Sequence, residues 1–144
     1  MLKRRPYVPP HVENLLVAAA RREPLNMSKV IMPVPLHLER IRARGFNQAS
    51  VLAQALSKSL RLPVDDGSLL RVSGSEKYRA GLDVKGRRDT VAGAFKVSHP
   101  RIVVGEDILL VDDVFTTGAT VSACAEALLG AGAKSVFVLT LARA

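Results

Sequence analysis

Cysteine and long hydrophobic runs are scarce in this 144-residue chain. A single cysteine, Cys124, excludes an internal disulfide, and one cysteine falls far short of the roughly four ligands of a structural zinc site. No apolar run approaches the ~20 residues that cross a membrane, and Pro6, Pro9, Pro10 and Glu13 interrupt the amino-terminal region where a signal peptide would lie. These absences favour a cytoplasmic protein without membrane insertion, in which Cys124 is a small buried core residue.

Aromatic residues are also few, at 4% with no tryptophan, although 48% of the chain is apolar. A core of Val, Leu, Ala and Ile is typical of a buried parallel sheet. The formal net charge of +8 predicts attraction to polyanions. It leaves two interpretations open, because basic residues spread over many segments can serve a diphosphate-bearing small ligand or a nucleic-acid surface.

The most informative stretch is residues 108–120, ILLVDDVFTTGAT, which predicts a strand, a turn and the start of a helix. Backbone N–H groups and hydroxyls at the start of that helix can converge on a phosphate. The predicted phosphate-binding residues are Thr116, Thr117, Gly118, Ala119 and Thr120. Asp112 and Asp113, at the carboxyl end of the strand, accept hydrogen bonds from vicinal hydroxyls, so the expected ligand contains ribose 5-phosphate.

A second segment that can bind phosphate follows a short apolar run at residues 30–35, which predicts another buried strand. The segment after it is predicted to be a loop and contains His37, Arg40, Arg42 and Arg44. Asn47 then precedes a helical pattern over residues 48–60 and is the expected N-cap. Both segments lie at the carboxyl ends of predicted strands, where ligands of parallel sheets bind.

The remaining patterns complete an α/β protein with a mainly parallel central sheet flanked by helices. Helices are predicted at residues 11–22 and 119–129, and strands at residues 62–64, 69–72, 94–97 and, buried, at 135–141. Residues 73–90 are polar and basic, which predicts a lid loop carrying Arg87 and Arg88 over a diphosphate or polynucleotide. The predicted division is a leader and candidate hood at residues 1–29, followed by the main domain at residues 30–144.

Two anion sites on one sheet edge suggest chemistry at the anomeric carbon of the ribose. If the C1 substituent is diphosphate, a nitrogen nucleophile can displace it through an oxocarbenium-like transition state. Mg²⁺ would bridge diphosphate and ribose oxygens, and no dedicated protein site for a metal is visible. This hypothesis gives Asp112, Asp113 and Arg44 the catalytic roles.

Three blocks of sequence carry a family resemblance. Residues 108–120 resemble the signature of type I phosphoribosyltransferases, and PVPLHLERIRARGFNQA at residues 33–49 is similar to a segment of the ComF competence-protein family. AGL followed by GRRDTVAGAF, within residues 80–95, is similar to that family's lid. The resemblance implies a type I phosphoribosyltransferase-like fold, with Asp112 and Asp113 on the ribose, residues 116–120 on the 5-phosphate and Leu36, His37 and Arg44 near diphosphate. It also implies a cytoplasmic role in the uptake of transforming DNA.

The chain departs from the family pattern twice. It lacks the four cysteines of the family's amino-terminal zinc element, and residues 76–79 are EKYR where the lid usually has Thr-x-x-Gln. Three functions therefore stay open: a Mg²⁺-dependent phosphoribosyltransferase using phosphoribosyl diphosphate, a non-enzymatic adaptor that contacts single-stranded DNA or a competence helicase, and a sensor of phosphoribosyl diphosphate. Single-stranded DNA binding would weaken steeply with salt.

Overall fold

Helices and strands alternate along the chain. The computed structural model describes residues 6–72 and 93–143. Its helices are α1 (Pro10–Ala20), α2 (Leu38–Arg44), α3 (Gln48–Leu60), α4 (Pro100–Val103) and α5 (Ala119–Gly130), with a 3₁₀ turn at Leu25–Met27. Its strands are β1 (Val30–Pro33), β2 (Leu69–Arg71), β3 (Phe95–Val97), β4 (Asp107–Phe115) and β5 (Ser135–Arg143). The order of these elements confirms the predicted α/β class.

A three-stranded parallel sheet in the order β1-β4-β5 forms the centre of the described structure. Val30 of β1 pairs with Ile108 of β4, and Asp107 of β4 pairs with Ser135 of β5. Strands β2 and β3 form a separate antiparallel pair. The strand predicted from residues 108–120 is therefore the middle strand, with a partner on each side.

Helices cover both faces of this sheet. Side chains alternate along a strand, so Ile108 and Leu110 face a cluster completed by α5, β2 and β3, whereas Leu109 and Val111 face one completed by α1 and α3. All four side chains are at most 1% exposed, and burying each stabilises the fold by roughly 1.5–3 kcal/mol. Two packed layers thus hold β4 rigid up to the point where its aspartates begin.

Helix α3 has the bounds predicted from its apolar pattern. Asn47 is its N-cap, because the side-chain Oδ1 accepts a hydrogen bond from Ala49 N at 3.1 Å. Ala49, Leu52 and Leu56 are buried at helical spacing, and they hold α3 against β1 and β4. The N-cap end of α3 is therefore fixed close to the carboxyl ends of both strands.

The prediction of a loop after Pro35 is wrong, because residues 38–44 form helix α2. None of its residues is buried, so the sequence carries no apolar stripe that would reveal the helix. Its stability comes instead from charges that suit the helix dipole, with Glu39 in the first turn and Arg42 and Arg44 in the last. Gly45 ends α2 at φ +84°, in the left-handed region that favours glycine.

Other predictions need smaller corrections. Residues 62–64 do not form a strand, since only Val64 makes an isolated bridge to Ile31 on the outer side of β1. Strand β5 is not a buried strand, because it lies at one edge of the described sheet and only Leu139 is buried in it. The predicted lid falls outside the described residues, and the division at residue 30 stays a prediction. Within residues 6–72 and 93–143, no helix has the length and apolar composition of a membrane span.

Candidate functional site

The two aspartates lie where β4 leaves the core. Residues 107–111 are buried, whereas Asp112 and Asp113 are only half-buried. Asp113 N donates a hydrogen bond to Asp112 Oδ1 at 2.9 Å, and Val114 N donates one to Asp113 Oδ1 at 2.9 Å. Each carboxylate is thus oriented by the backbone of the next residue. Strand alternation directs Asp112 to the α5 layer and Asp113 to the α3 layer.

Burial raises the pKa of the Asp112 carboxyl from 3.8 to about 6. The backbone N–H of Asp113 opposes this shift, and the Asp113 carboxylate adds to it through a side-chain hydrogen bond and charge repulsion. Burial, together with the smaller effect of the Asp113 carboxylate, therefore makes the ionised form of Asp112 costly. A ligand that donates hydrogen bonds or brings a cation would lower that cost.

The loop after β4 turns sharply into α5. Gly118 stands at the N-cap position with φ +80°, and Ala119 N donates a hydrogen bond to Thr117 Oγ1 at 3.3 Å. A cavity of about 40 Å³ lies here, lined by Asp112, Val114, Phe115, Thr116, Gly118, Thr120 and Val121. This is the positive end of a 12-residue helix, which suits a phosphate group.

A second cavity joins the segment after β1 to the end of β4. It measures about 210 Å³. It is lined by Val34, Pro35, Leu36, Arg40, Arg44, Asn47, Gln48, Arg71, Asp112, Asp113, Val114 and Thr120. Five predicted site residues, Leu36, Arg44, Asp112, Asp113 and Thr120, therefore meet around one space. Asp112, Val114 and Thr120 line both cavities, so the two are neighbours.

The other predicted residues divide into three groups. Thr116 and Gly118 line only the small cavity at the start of α5. Thr117 and Ala119 line neither cavity and are joined by the hydrogen bond described above. His37 lines neither cavity, and within the described structure its Nδ1 is buried without a hydrogen-bond partner. Arg87 and Arg88 lie outside the described residues.

Arg71 is a cavity residue that the sequence did not reveal. It ends β2, and its guanidinium carbon lies 5.4 Å from the centroid of the Phe95 ring. Its positive charge also lowers the pKa of Cys124, against the larger effects of burial and of Asp112, which raise that pKa to about 12. The one available signal was a basic residue at the end of a short strand, which is too common to single out.

A larger cavity, of about 650 Å³, lies at the opposite end of the sheet beside Lys29, Asp66 and Glu106. Lys29 N donates a hydrogen bond to Asp107 O, which places this cavity at the amino ends of β1 and β4. Ligands of parallel sheets bind at the carboxyl ends of the strands. The smaller pair of cavities at that end is therefore the better candidate site.

The donor set at the site suits a cation held mainly by a ligand. Asp112 and Asp113 offer carboxylate oxygens, which Mg²⁺ prefers. Among residues 6–72 and 93–143, however, no group of three or more His, Cys, Asp or Glu residues could hold a metal ion. Any Mg²⁺ here would need most of its oxygens from ligand and water.

Comparisons of the sequence identify relatives over most of the chain. The family model for the phosphoribosyl transferase domain matches residues 41–144. Competence protein F of Haemophilus influenzae is 36% identical over 127 residues, covering 88% of this chain and 55% of that protein. DNA utilization protein YhgH of Escherichia coli O157:H7 is 37% identical over 125 residues, covering 87% of this chain and 54% of that protein. The chain thus spans about half the length of these relatives, and the predicted ComF resemblance is confirmed.

Solved structures share the fold at low sequence identity. Glutamine phosphoribosylpyrophosphate amidotransferase from B. subtilis has a TM-score of 0.60 at 20% identity, covering 90% of this chain and 26% of that one. Purine phosphoribosyltransferase from Pyrococcus horikoshii has a TM-score of 0.57 at 18% identity, covering 96% of this chain and 77% of that one. These structures confirm the predicted type I phosphoribosyltransferase-like fold.

Proposed function

Because the chain belongs to the phosphoribosyl transferase domain family, we propose that it binds phosphoribosyl diphosphate, or a related ribose 5-phosphate ligand, at the paired cavities. Asp112 and Asp113 hold the ribose hydroxyls, and residues 116–120 hold the 5-phosphate. Arg40, Arg44 and Arg71 face the diphosphate. One observation carries this proposal: a single cavity is lined by both aspartates and by all three arginines.

The arrangement suits a ligand with two anionic ends and a polyhydroxyl centre. Arginine side chains recognise diphosphate through charge-assisted hydrogen bonds, which are stronger than neutral ones. The start of α5 supplies backbone N–H groups for the 5-phosphate. Between them, two carboxylates repel phosphate but accept from hydroxyls, so the ligand can bind in only one direction along the sheet edge.

The same geometry supports transfer of the phosphoribosyl group. Departure of diphosphate from C1 leaves positive charge on the ribose, which the carboxylates of Asp112 and Asp113 stabilise. Arg44 and Arg71 neutralise the charge that grows on the leaving diphosphate. Mg²⁺, when bound through ligand oxygens and the aspartates, would add charge neutralisation at the diphosphate. The nitrogen acceptor approaches the face of C1 opposite the leaving group.

Calorimetry separates binding from turnover. Titration of the protein with phosphoribosyl diphosphate and Mg²⁺ should give one site, and the double variant Asp112→Ala/Asp113→Ala should lose it. A panel of nucleobases and amines then tests diphosphate release. Binding without release for every acceptor would reject the enzyme and keep the binding protein. No binding by the wild-type protein would reject the proposal itself.

We place this activity in the uptake of transforming DNA. Two relatives are named competence protein F and DNA utilization protein, and residues 33–49 carry the ComF-like sequence. The cellular setting proposed is the cytoplasm. Deletion of the coding sequence should reduce transformation frequency, and complementation with the Asp112→Ala/Asp113→Ala variant tests whether ligand binding is needed.

The second candidate is an adaptor that contacts single-stranded DNA or a competence helicase. The net charge of +8 and the exposed arginines of α2 favour it. Affinity for an oligonucleotide should then fall steeply between 50 and about 200 mM salt, because each phosphate contact releases counterions. Binding that is absent or insensitive to salt would contradict this function without affecting the first.

A further inference from the structure

The segment that carries Arg40 and Arg44 leaves the sheet and returns to the residue from which it left. It begins at Val34, whose N–H donates a hydrogen bond to Val111 O at 2.8 Å and so extends the pairing of β1 with β4. It ends at Asn47, whose Nδ2 donates to Val34 O at 3.0 Å. One residue, Val34, is therefore bonded both to the strand that carries the aspartates and to the end of the segment.

Packing does not hold this segment in place. Helix α2 has no buried residue, and a Cβ atom placed on Gly45, which turns the chain at the end of α2, would meet no other atom within 4 Å. Helix α3, by contrast, is fixed to the core through Ala49 and Leu52. The side chain of Asn47 joins the fixed parts to each other, since Oδ1 accepts from Ala49 N while Nδ2 donates to Val34 O.

We propose that Asn47 is a positioning residue that sets the distance between the arginines of α2 and the carboxylates of Asp112 and Asp113. The inference rests on the proposed function, because it assigns the diphosphate half of the ligand to α2. Asn47 lines the cavity, but both ends of its amide are engaged within the protein. It therefore acts through α2, and no other small residue replaces it: Asp lacks the donor, and Ser is too short to reach Val34 O while capping α3.

The test uses Asn47→Ser, which keeps an N-cap oxygen for α3 but removes the bond to Val34. Inorganic diphosphate and ribose 5-phosphate are titrated separately by calorimetry. We expect the affinity for diphosphate to fall about fivefold or more, as for the loss of a positioning hydrogen bond, and that for ribose 5-phosphate to change less than about twofold. A uniform loss, or no loss, of affinity for the two probes would overturn the inference.

The matched control is Ser57→Ala in the same helix. Ser57 Oγ donates to Leu62 O at the far end of α3, so its removal also costs one side-chain bond to a carbonyl. This variant should bind both probes as the wild-type protein does. Wild-type protein that binds neither probe would reject the proposed function and the inference together, whereas wild-type binding with an unaffected Asn47→Ser variant would reject the inference alone.

Should Asn47→Ser fail to fold, nuclear magnetic resonance of the wild-type protein gives a second reading. The side-chain amide signal of Asn47 should shift on addition of diphosphate, because the anion would bind to α2, beside the bond from Asn47 to Val34. Ribose 5-phosphate should leave the chemical shift of this amide unchanged. The reverse pattern, or no shift with either probe, would contradict the positioning role.

Discussion

A Cβ atom at Gly118 would stand 2.8 Å from Cζ of Phe115, so the ring of the last β4 residue closes directly over the turn that precedes α5. Arg143, the last residue of β5, lies on that ring with its guanidinium carbon 5.8 Å from the centroid. The ring is therefore supported from the neighbouring strand and cannot move aside without cost. The turn before α5 keeps its shape because Gly118 is both left-handed and without a side chain.

Gly118→Ala should destabilise the protein by at least about 1–2 kcal/mol, because alanine is strained in the left-handed conformation and its Cβ would also clash with Phe115. It should weaken ribose 5-phosphate binding more than diphosphate binding. Urea unfolding and calorimetry measure the two effects. In the double variant Phe115→Ala/Gly118→Ala the clash is absent, so its loss of stability should be smaller than the sum of the losses in the two single variants. A loss equal to that sum would show that the ring does not restrict the loop.

Asp112→Asn should make the unliganded protein more stable at pH 7.5. A carboxyl whose pKa is raised to about 6 contributes stability that is fully present below its unfolded value of 3.8 and is lost as the pH rises through 6. The amide avoids this loss and still accepts from Asp113 N. The stability difference between variant and wild type should therefore grow from pH 4 to pH 7.5 in urea unfolding, with exposed Asp66→Asn as the control for removing one negative charge.

Binding of phosphoribosyl diphosphate with Mg²⁺ should weaken below pH 6. The ligand binds more tightly to the protein with ionised Asp112, so each pH unit below the pKa of about 6 should cost up to about tenfold in affinity. The phosphates of the ligand also titrate in this range. The contribution of the protein is the part of the pH dependence that disappears in Asp112→Asn; identical profiles for the two proteins would contradict the assignment.

Arg44→Ala should reduce the affinity for inorganic diphosphate by about tenfold or more, as expected for one charge-assisted hydrogen bond. Arg42→Ala provides the matched control, because Arg42 lies in the same helix turn and is also exposed but does not line the cavity. Calorimetry at low salt compares the two variants. Equal losses would show that net charge, and not the position of Arg44, governs binding.

Cys124 should resist alkylation in the folded protein. Its side chain is fully buried, and burial together with Asp112 raises its pKa to about 12, so only about one thiol in 10,000 is ionised at pH 8. Iodoacetamide followed by mass spectrometry should label it in denaturant and leave it unlabelled in buffer over the same period. Rapid labelling in buffer would mean that α5 opens readily.

The sequence was sufficient for the parts of the fold that have a strong pattern. The apolar run before Asp112 and the helical spacing after Asn47 predicted β4 and α3, because buried faces leave a period in the sequence. Helix α2 has no such periodic pattern, since none of its residues is buried and its only sequence signals are its charges and Gly45. Its correct position relative to the sheet depends on one side-chain amide, which no pattern reports.

The candidate site was likewise predictable only where its residues belong to a strong local sequence pattern. Asp112 and Thr120 lie within one continuous motif, so their proximity follows from a strand, a turn and a helix. Arg71 comes from the separate β2–β3 pair, and its approach to Asp112 depends on how that pair packs against α5. Contacts between elements distant in sequence were thus the part that the sequence could not supply.

Asp112 and Asp113 point to opposite faces of the sheet, and this arrangement has a consequence for the rigidity of the whole domain. Each carboxylate emerges from a different hydrophobic layer, one shared with α5 and the other with α3. If the proposed ribose binds to both aspartates, it links the α5 layer and the α3 layer at the carboxyl end of β4. Ligand binding should slow amide hydrogen exchange in both α3 and α5, although most contacts to the ligand come from other elements.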